Sequence, residues 1–405
     1  MNNKIIFTIV AKNYLHFAIT LYKSAKINGG KSEFRIYVAD GLNNEIIDLA
    51  RTNDLPIFDA LKGVDSNSFL KMAFYYEVTE YCTSIKPFII RQLFNEGYDY
   101  VTYVDPDIYI YANLDIPVYK ILENYDIFLT PHICEPISDE LRPNESDHLI
   151  SGTYNLGFIS VNKSENSKAF VDWWCKKCEF ECFNDPTTGL FVDQKWINLV
   201  PGLFSGVYIS RNFGLNIAYW NLHERFIDRN GIVNSSYPLI FIHYSGVDIN
   251  NIENISKYKN RYRLSDRQDL DEYFRSYATE VRSNIHSSFE VKYSFASYSD
   301  GRSISLLARR VFFWNKDRLD SPFSSSDAEA IFLSILATYN IKESVGVTSK
   351  PKTDEINRKA RVINLLLRQA LRFFGPNRYA QLARYFGFLS SLNNHKFIER
   401  DVDVV

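Results

Sequence analysis

Two aspartates one residue apart, Asp105 and Asp107, follow directly on Tyr100–Val104, an apolar run that reads as a buried strand. Open α/β sheets gather their ligands outside the carboxyl ends of the strands, which is where this pair falls. Facing carboxylates repel each other, and a divalent cation between them removes that cost. Such a cation can bridge a diphosphate and neutralise the charge that develops as it leaves. An Asp-Pro-Asp sequence serves equally well as a turn after a strand, so the pair alone leaves both readings open.

Three more polar islands lie downstream in apolar surroundings. They are Asn155 in residues 153–158, Asp193-Gln194 ahead of Trp196, and His243 in residues 241–246. A histidine closing an apolar strand is most often a satisfied core residue. Beside two carboxylates, its neutral imidazole becomes a candidate third metal ligand. Asp193 and Glu224 are the carboxylates that could accept a proton from an attacking hydroxyl. Asp147, ending an acidic turn, is either a site residue or a solvated one, and the solvated reading is favoured. Of the tryptophans, Trp173, Trp174 and Trp196 are expected in packing, and only Trp220 is assigned to ligand binding.

The elements that must position these groups alternate strand with helix. Residues 5–10 form a continuous apolar run, as in a strand buried on both faces. Asn13 can cap a helix carrying Phe17, Ala18, Leu21 and Ala25 on one face, with Gly29-Gly30 ending it. Residues 34–39, 126–130, 156–161 and 239–244 add strands. This alternation predicts an α/β domain over residues 1–250, with a mostly parallel sheet flanked by helices. A smaller α+β extension is expected over 251–339, with a helix in 258–285 and a β-hairpin in 289–313 turning at Asp300-Gly301. Residues 340–405 read as a linker followed by basic amphipathic helices.

Composition bounds the partners. Over 405 residues, 46% hydrophobic and 23% charged residues describe a folded chain, and a net charge of −2 gives no global attraction to nucleic acid. The five cysteines, an odd number, imply no disulfide framework. Cys175, Cys178 and Cys182 recur at helical spacing, and a zinc site there would need a distant fourth ligand, so a packing role is expected. The first apolar run is too short for a secretory signal, and no run approaches the ~20 residues that span a bilayer. The expectation is a cytoplasmic protein, with a peripheral place on the inner membrane left open.

The order of these motifs resembles that of the family-8-type glycosyltransferases, retaining enzymes of GT-A fold. That family runs Asn-Tyr, strand-Asp-x-Asp, Asn-x-Gly, Asp-Gln and a late His. Here stand Asn13-Tyr14, Asp105-Pro106-Asp107, Asn155-Leu156-Gly157, Asp193-Gln194 and His243. The strings KPFIIRQLF (86–94), TYNLGFISV (153–161), FVDQKWINLVPGLF (191–204) and NIAYWNLHER (216–225) resemble a closer group of bacterial glycosyltransferases of surface-polysaccharide synthesis. The resemblance spans residues 4–250.

The resemblance implies a GT-A nucleotide-sugar-binding fold and a Mn²⁺ or Mg²⁺ held by Asp105, Asp107 and His243 against the donor diphosphate. It places Asn13 and Tyr14 on the nucleotide base, and Asn155, Asp193 and Gln194 near the donor sugar, the last two in catalytic positions. Lys86 and Trp220 join the donor site, and the acceptor would be a glycan or lipid-linked glycan. Retention, with Gln194 opposite the leaving group, is implied in the same way, whereas the residues alone leave inversion open. Two departures stand out. The family's His-x-x-Gly-x-x-Lys ends here in Ile249, and its Arg before the Asp-x-Asp strand is Phe88, with Lys86 and Arg91 nearby to supply charge. A nucleotidyltransferase is the alternative enzyme, but the stretch from Ala11 to His16 lacks the glycines of its loop. A non-catalytic nucleotide-sugar-binding module is the third reading.

The tail carries seven Arg or Lys between Arg358 and Arg384 and no acid. Over residues 358–374, Arg361, Arg368 and Arg372 share one helical face, and Leu366, Leu367, Ala370, Leu371 and Phe374 the other. Such a helix suits an anionic membrane surface, or packing on the protein or a second subunit.

Overall fold

Eleven strands and twelve helices occur in the computed structural model, which describes residues 3–62, 66–258, 261–342 and 353–398. The strands are β1 (Lys4–Val10), β2 (Glu33–Val38), β3 (Ile57–Asp59), β4 (Tyr100–Val104), β5 (Ile108–Ile110), β6 (Ile127–Pro131), β7 (Tyr154–Asn162), β8 (Val207–Ile209), β9 (Ile232–Val233), β10 (Tyr237–Pro238) and β11 (Phe241–His243). The helices are α1 (Leu15–Asn28), α2 (Asn44–Thr52), α3 (Ser66–Tyr75), α4 (Val78–Ser84), α5 (Lys86–Asn95), α6 (Glu145–Ser151), α7 (Glu165–Phe180), α8 (Val200–Leu203), α9 (Asp271–Ser283), α10 (Leu306–Asn315), α11 (Ser326–Thr338) and α12 (Thr353–Leu389). Two compact units divide after Ser294.

The first unit is built on a seven-stranded sheet of order β3-β2-β1-β4-β7-β6-β8. It is mixed α/β and mostly parallel: β1 runs parallel to β2 and β4, β2 to β3, and β6 to β8. Only β7 opposes its neighbours β4 and β6. Helices cover the sheet, which is why Ile5, Ile6, Phe7, Ile9 and Val10 are buried without alternation. One core gathers Ile6, Leu21, Val104, Phe128, Phe158 and Phe241, and another Val10, Leu15, Ala18, Ile36, Val38 and Ile46.

Reversal of β7 is what builds the site. In an all-parallel sheet the end of β4 would meet only other strand ends. Here Val104 pairs with Phe158 and the Asp105 amide donates to the Gly157 carbonyl (2.7 Å), so the start of β7 lies beside the end of β4. A second small ladder adds the histidine. β11 pairs antiparallel with β5, with His243 opposite Ile108, and the Tyr244 amide donates to the Asp107 carbonyl (2.8 Å).

Several expectations need correction. Asn13 does not cap α1: residues Lys12–Tyr14 make a 3-10 turn, Tyr14 occupies the cap position, and no side chain caps it. That turn is anchored by the Lys12 amide donating to Asp40 (2.9 Å), which fixes the chain one turn before the helix starts. The strand expected over 239–244 forms outside the main sheet, as β11. The helix expected over 258–285 is confined to α9, and Phe274, Tyr277 and Val281 on it share a core with Ile217, Leu239 and Tyr244. The first unit therefore takes in residues 251–294.

In the second unit the expected β-hairpin is absent. Only a single bridge, Ser297 with Ser303, flanks the Asp300-Gly301 turn, where Gly301 has φ +85°. The would-be second strand is helix α10, because the Ser305 side chain accepts the Ala308 amide and caps a helical start. The tail helix is longer than residues 358–374 and is broken at Gly375 (φ +71°), just before Pro376.

Candidate metal and donor site

Asp105 and Asp107 sit one and three residues beyond β4, and His243 ends β11. The three offer donor atoms that all lie within 4.8 Å of one another; among the described residues no other group of three such side chains does so. His243 Nε2 is 3.0 Å from Asp107 Oδ1 and 3.7 Å from Asp105 Oδ2. Adjacent ligands of an octahedral cation with bonds of about 2.2 Å are about 3.1 Å apart, so the spacing fits one ion with small adjustment. Two carboxylates and an imidazole suit Mn²⁺, and Mg²⁺ less well because of the nitrogen.

The electrostatics agree with a cation site. Burial raises the Asp105 carboxyl above its ordinary value, with Lys86 and His243 opposing and Asp107 adding to the rise. Burial alone would lower the His243 imidazole, but Asp107 and Asp105 more than offset it and hold it above its usual value. Negative charge is thus concentrated where a cation would relieve it.

Close approach of these groups depends on Gly157. A Cβ there would lie 2.4 Å from His243 Cε1, 2.8 Å from Asp105 Oδ2 and 2.9 Å from Asn155 Oδ1. Only glycine leaves room.

The other expected site residues divide into three settings. Tyr14 is exposed, stacks on Phe17 (5.2 Å between centroids), and feels Asp107, which with burial raises its phenol. Asn13 is exposed beside it. Lys86 and Asp193 are instead a buried pair at 2.7 Å, 1% and 2% exposed in their side chains. Lys86 also donates to the Leu156 carbonyl (2.9 Å) and lies 4.1 Å from the Tyr103 ring centre, while Tyr103 donates to Asp105 (2.6 Å). Gln194 accepts the Leu156 amide (2.9 Å) and donates to the Ser151 carbonyl (2.9 Å). Asn155 is buried between His243 and His132, and Trp220, 4% exposed, packs edge-on against both rings. In this structure Trp220 therefore packs against His243 and presents no open face.

Charge is placed differently from expectation. Lys86 is committed to Asp193, and Arg91 pairs at the surface with Asp172 (3.5 Å), so neither ammonium nor guanidinium is free at the site. A further cation is Lys257, whose backbone amide donates to the carbonyl of Gly246 (2.9 Å) and whose ammonium lies 5.2 Å from the Tyr258 ring centre. Burial raises the Tyr258 phenol most, and Asp107, Tyr14 and Asp105 are close enough to add to the rise. Nothing in the sequence marks Lys257, because the link to Gly246 is a loop contact. Tyr103 was detectable, since a residue two before Asp105 shares its strand face.

Glu224 is buried and receives the Cys134 amide (3.0 and 2.9 Å), the Glu135 amide and Arg225 Nε (3.2 Å). It is a loop anchor here. Asp147 caps α6 in a reciprocal box with Asn144. Cys175, Cys178 and Cys182 are buried, and burial pushes all three thiols up.

No family model matches the chain. It is similar to the uncharacterized protein YfnF of Bacillus subtilis (strain 168), 27% identical over 256 residues, which cover 61% of this chain and 84% of that protein. Among solved structures, it is similar to the galactosyltransferase LgtC in complex with donor and acceptor sugar analogs, at 17% identity and TM-score 0.39, over 69% of this chain and 100% of that one. It is similar also to the glycosyltransferase GlyE of Streptococcus pneumoniae TIGR4, at 16% identity and TM-score 0.39, over 77% of this chain and 73% of that one.

Proposed function

We propose that this chain is a metal-dependent glycosyltransferase, moving a sugar from a nucleotide-sugar donor to a glycan or lipid-linked glycan acceptor in bacterial surface-polysaccharide assembly. The observation that carries the reading is the convergence of Asp105, Asp107 and His243 at one point outside the strand ends. The order of Asn13-Tyr14, Asp105-Pro106-Asp107, Asn155-Leu156-Gly157, Asp193-Gln194 and His243, which resembles that of retaining GT-A enzymes, supports it.

Asp105, Asp107 and His243 would hold Mn²⁺ or Mg²⁺. When bound, the ion supplies Lewis-acid charge that stabilises a departing nucleoside diphosphate. Tyr14 offers its exposed ring to the nucleobase, with Asn13 beside it. Lys257, whose ammonium lies 5.2 Å from the Tyr258 ring centre, would supply the cation for the diphosphate in the part that Ile249 cannot play. Asp193 and Gln194 shape the sugar end: Lys86 fixes the Asp193 carboxylate, and Gln194 ties Leu156 to Ser151. Transfer with retention belongs to this reading.

The tail gives the enzyme a place to work. Among the described residues no helix is long and apolar enough to cross a membrane. Leu365, Leu366, Leu371, Phe373, Phe374 and Phe386 on α12 are all exposed, and residues 356–398 contain no acid. The side chain of Arg361 lies outside the described residues, whereas Arg368 and Arg372 are exposed. A cationic, apolar helix of this kind would hold the enzyme at an anionic inner-membrane surface, beside a lipid-linked acceptor.

A screen of nucleotide sugars for Mn²⁺-dependent thermal stabilisation and hydrolysis tests the reading without assuming an acceptor. Asp107→Asn should abolish the Mn²⁺-linked stabilisation and leave the metal-free melting temperature within a few degrees. A variant that responds to Mn²⁺ and nucleotide like wild type refutes the site.

A further inference from the structure

Large aliphatic side chains stand in water beside the residues proposed for the donor sugar. On α6 they are Leu149 and Ile150, 71% and 52% exposed; beyond Gln194 they are Leu199 and Leu203, 50% and 56% exposed. The local fold does not force them out by accident. Gln194, Ile197 and Val200 face inward at intervals of three, as the 3-10 turn Gln194–Leu199 leading into α8 requires, and Leu199 is left on the outer side.

The two segments lie side by side. Gln194 donates to the Ser151 carbonyl (2.9 Å), Asn198 accepts the Thr153 amide (2.9 Å), and the Lys195 ammonium donates to the Leu149 carbonyl. The aliphatic groups therefore belong to one stretch of surface. Single exposed apolar residues need no explanation, but a cluster rimmed by polar groups marks a binding surface.

Charge and position narrow the partner. Among the described residues the Lys195 ammonium has the Leu149 carbonyl as its partner and no carboxylate to neutralise it. An ammonium carries three donors, so two remain. Partial burial lowers its pKa, a penalty that an anion alongside would relieve. The acids of α6 are engaged elsewhere: Glu145 accepts the Ile137 amide (2.8 Å), and Asp147 accepts the Asn144 amide (3.0 Å) and pairs with Arg142 (3.1 Å). An apolar face with one free cation complements an amphiphile with an anionic head. A second copy packed symmetrically on the patch would bring two Lys195 ammoniums together, and a bare membrane surface is better met by many cations. Lys195 directly follows Gln194, which also accepts the Leu156 amide (2.9 Å), so the patch adjoins the sugar end of the site.

We propose that this patch receives the lipid of a lipid-linked acceptor, with Leu149, Ile150, Leu199 and Leu203 against the hydrocarbon and Lys195 on the phosphate that joins it to the glycan. The proposal rests on the glycosyltransferase reading, and of the two acceptor classes named there it selects the lipid-linked one. A phosphate held at Lys195 sets the acceptor's sugar toward Asp193 and Gln194.

The experiment uses the full chain and farnesyl phosphate, a soluble isoprenoid phosphate, titrated by calorimetry below its micelle concentration. Farnesol and inorganic phosphate are the controls, and both should bind at least ~10-fold more weakly, since each lacks one half of the complement. Leu199→Gln with Leu203→Gln, and separately Lys195→Met, should each weaken farnesyl phosphate by about 10-fold or more. The double substitution should leave Mn²⁺-linked stabilisation by nucleotide sugar as in wild type. Wild-type farnesyl phosphate affinity in the folded double variant overturns the proposal; a probe taken up by α12 would give that result, because α12 is intact there. Farnesol binding as tightly as its phosphate overturns it too, as does unaltered affinity in Lys195→Met. If the double substitution dissociates a dimer or abolishes liposome sedimentation while farnesyl phosphate binds as before, the patch belongs to a second copy or to the bilayer, and the proposal fails. If the probe and variants behave as described but no nucleotide sugar gives an Mn²⁺-linked response, the glycosyltransferase reading is what fails.

Discussion

Gly157→Ala isolates the site from the fold better than removing any ligand. The added methyl would lie 2.4 Å from His243 Cε1, about 1 Å inside ordinary carbon–carbon contact. The His243 ring has little room to retreat, being held by Asn155 on one side, Asp107 on the other, and the edge of Trp220 at 5.1 Å. Nor can the methyl move toward Asp105, whose Oδ2 would be 2.8 Å away. Relief must come from His243 or β7 shifting by several tenths of an ångström, whereas metal–ligand distances tolerate about 0.2 Å. Overpacking of this kind costs about 1–3 kcal/mol of stability, which a unit of this size should survive. Loss of one aligned ligand should weaken Mn²⁺ by at least ~100-fold, about 2.7 kcal/mol.

Two measurements on one protein separate these effects: urea unfolding of the metal-free form, and Mn²⁺ titration followed by the free-ion electron paramagnetic resonance signal. Gly202→Ala is the control, because a Cβ there meets nothing within 4 Å. Gly157→Ala should show a modest fall in unfolding free energy and a large fall in Mn²⁺ affinity, and Gly202→Ala neither. A folded Gly157→Ala protein that binds Mn²⁺ within threefold of wild type would show that the ion does not sit between Asp105 and His243.

Two other predictions follow from the charges. Lys86→Met strands the Asp193 carboxylate in the interior and should cost about 3–5 kcal/mol at pH 7 by urea unfolding. Burial already holds the Asp193 pKa above its ordinary value against the opposing pull of Lys86, and removing Lys86 raises it further. The folded variant then takes up a proton more readily than its unfolded chain, so its deficit should shrink as pH falls from 7 toward 5; a deficit constant with pH refutes this. For the tail, a chain ending at Thr353 should keep Mn²⁺-linked nucleotide-sugar binding and lose sedimentation with anionic liposomes. Unfolding or insolubility of that truncation would mean that α12 covers the protein itself.

Much of the first unit was legible because its strands are buried on both faces. Unbroken apolar runs such as residues 5–10, 100–104 and 156–161 can only be central strands or buried helix, and their short lengths decide the matter. The same rule failed after residue 289. There Phe and Tyr alternate with polar residues, as in a half-buried strand, but a single serine cap at Ser305 commits the chain to helix. Asn13 failed for the opposite reason. Its type suits a cap, yet Asp40, distant in sequence, pins the Lys12 amide and moves the helix start to Leu15.

The site was legible in its members and not in its wiring. Strand ends are local features, so Asp105, Asp107 and His243 could each be found from the run that precedes it. Their meeting depends on two antiparallel registers, β4 with β7 and β5 with β11, and a slip of one residue in either would turn the relevant side chain to the opposite face. Register is set by partners 54 to 135 residues away, and single-chain periodicity carries no record of it. Residues whose value lies in a contact were therefore invisible. Gly157 looked like one glycine in a motif, yet it is the place where three side chains need the same volume. His132 follows β6 as an unremarked polar residue, yet it lies against both Asn155 and the Trp220 ring. The chemistry of such a site is written in residue types, but its protonation pattern is written only in hydrogen bonds, each of which takes its direction from the next.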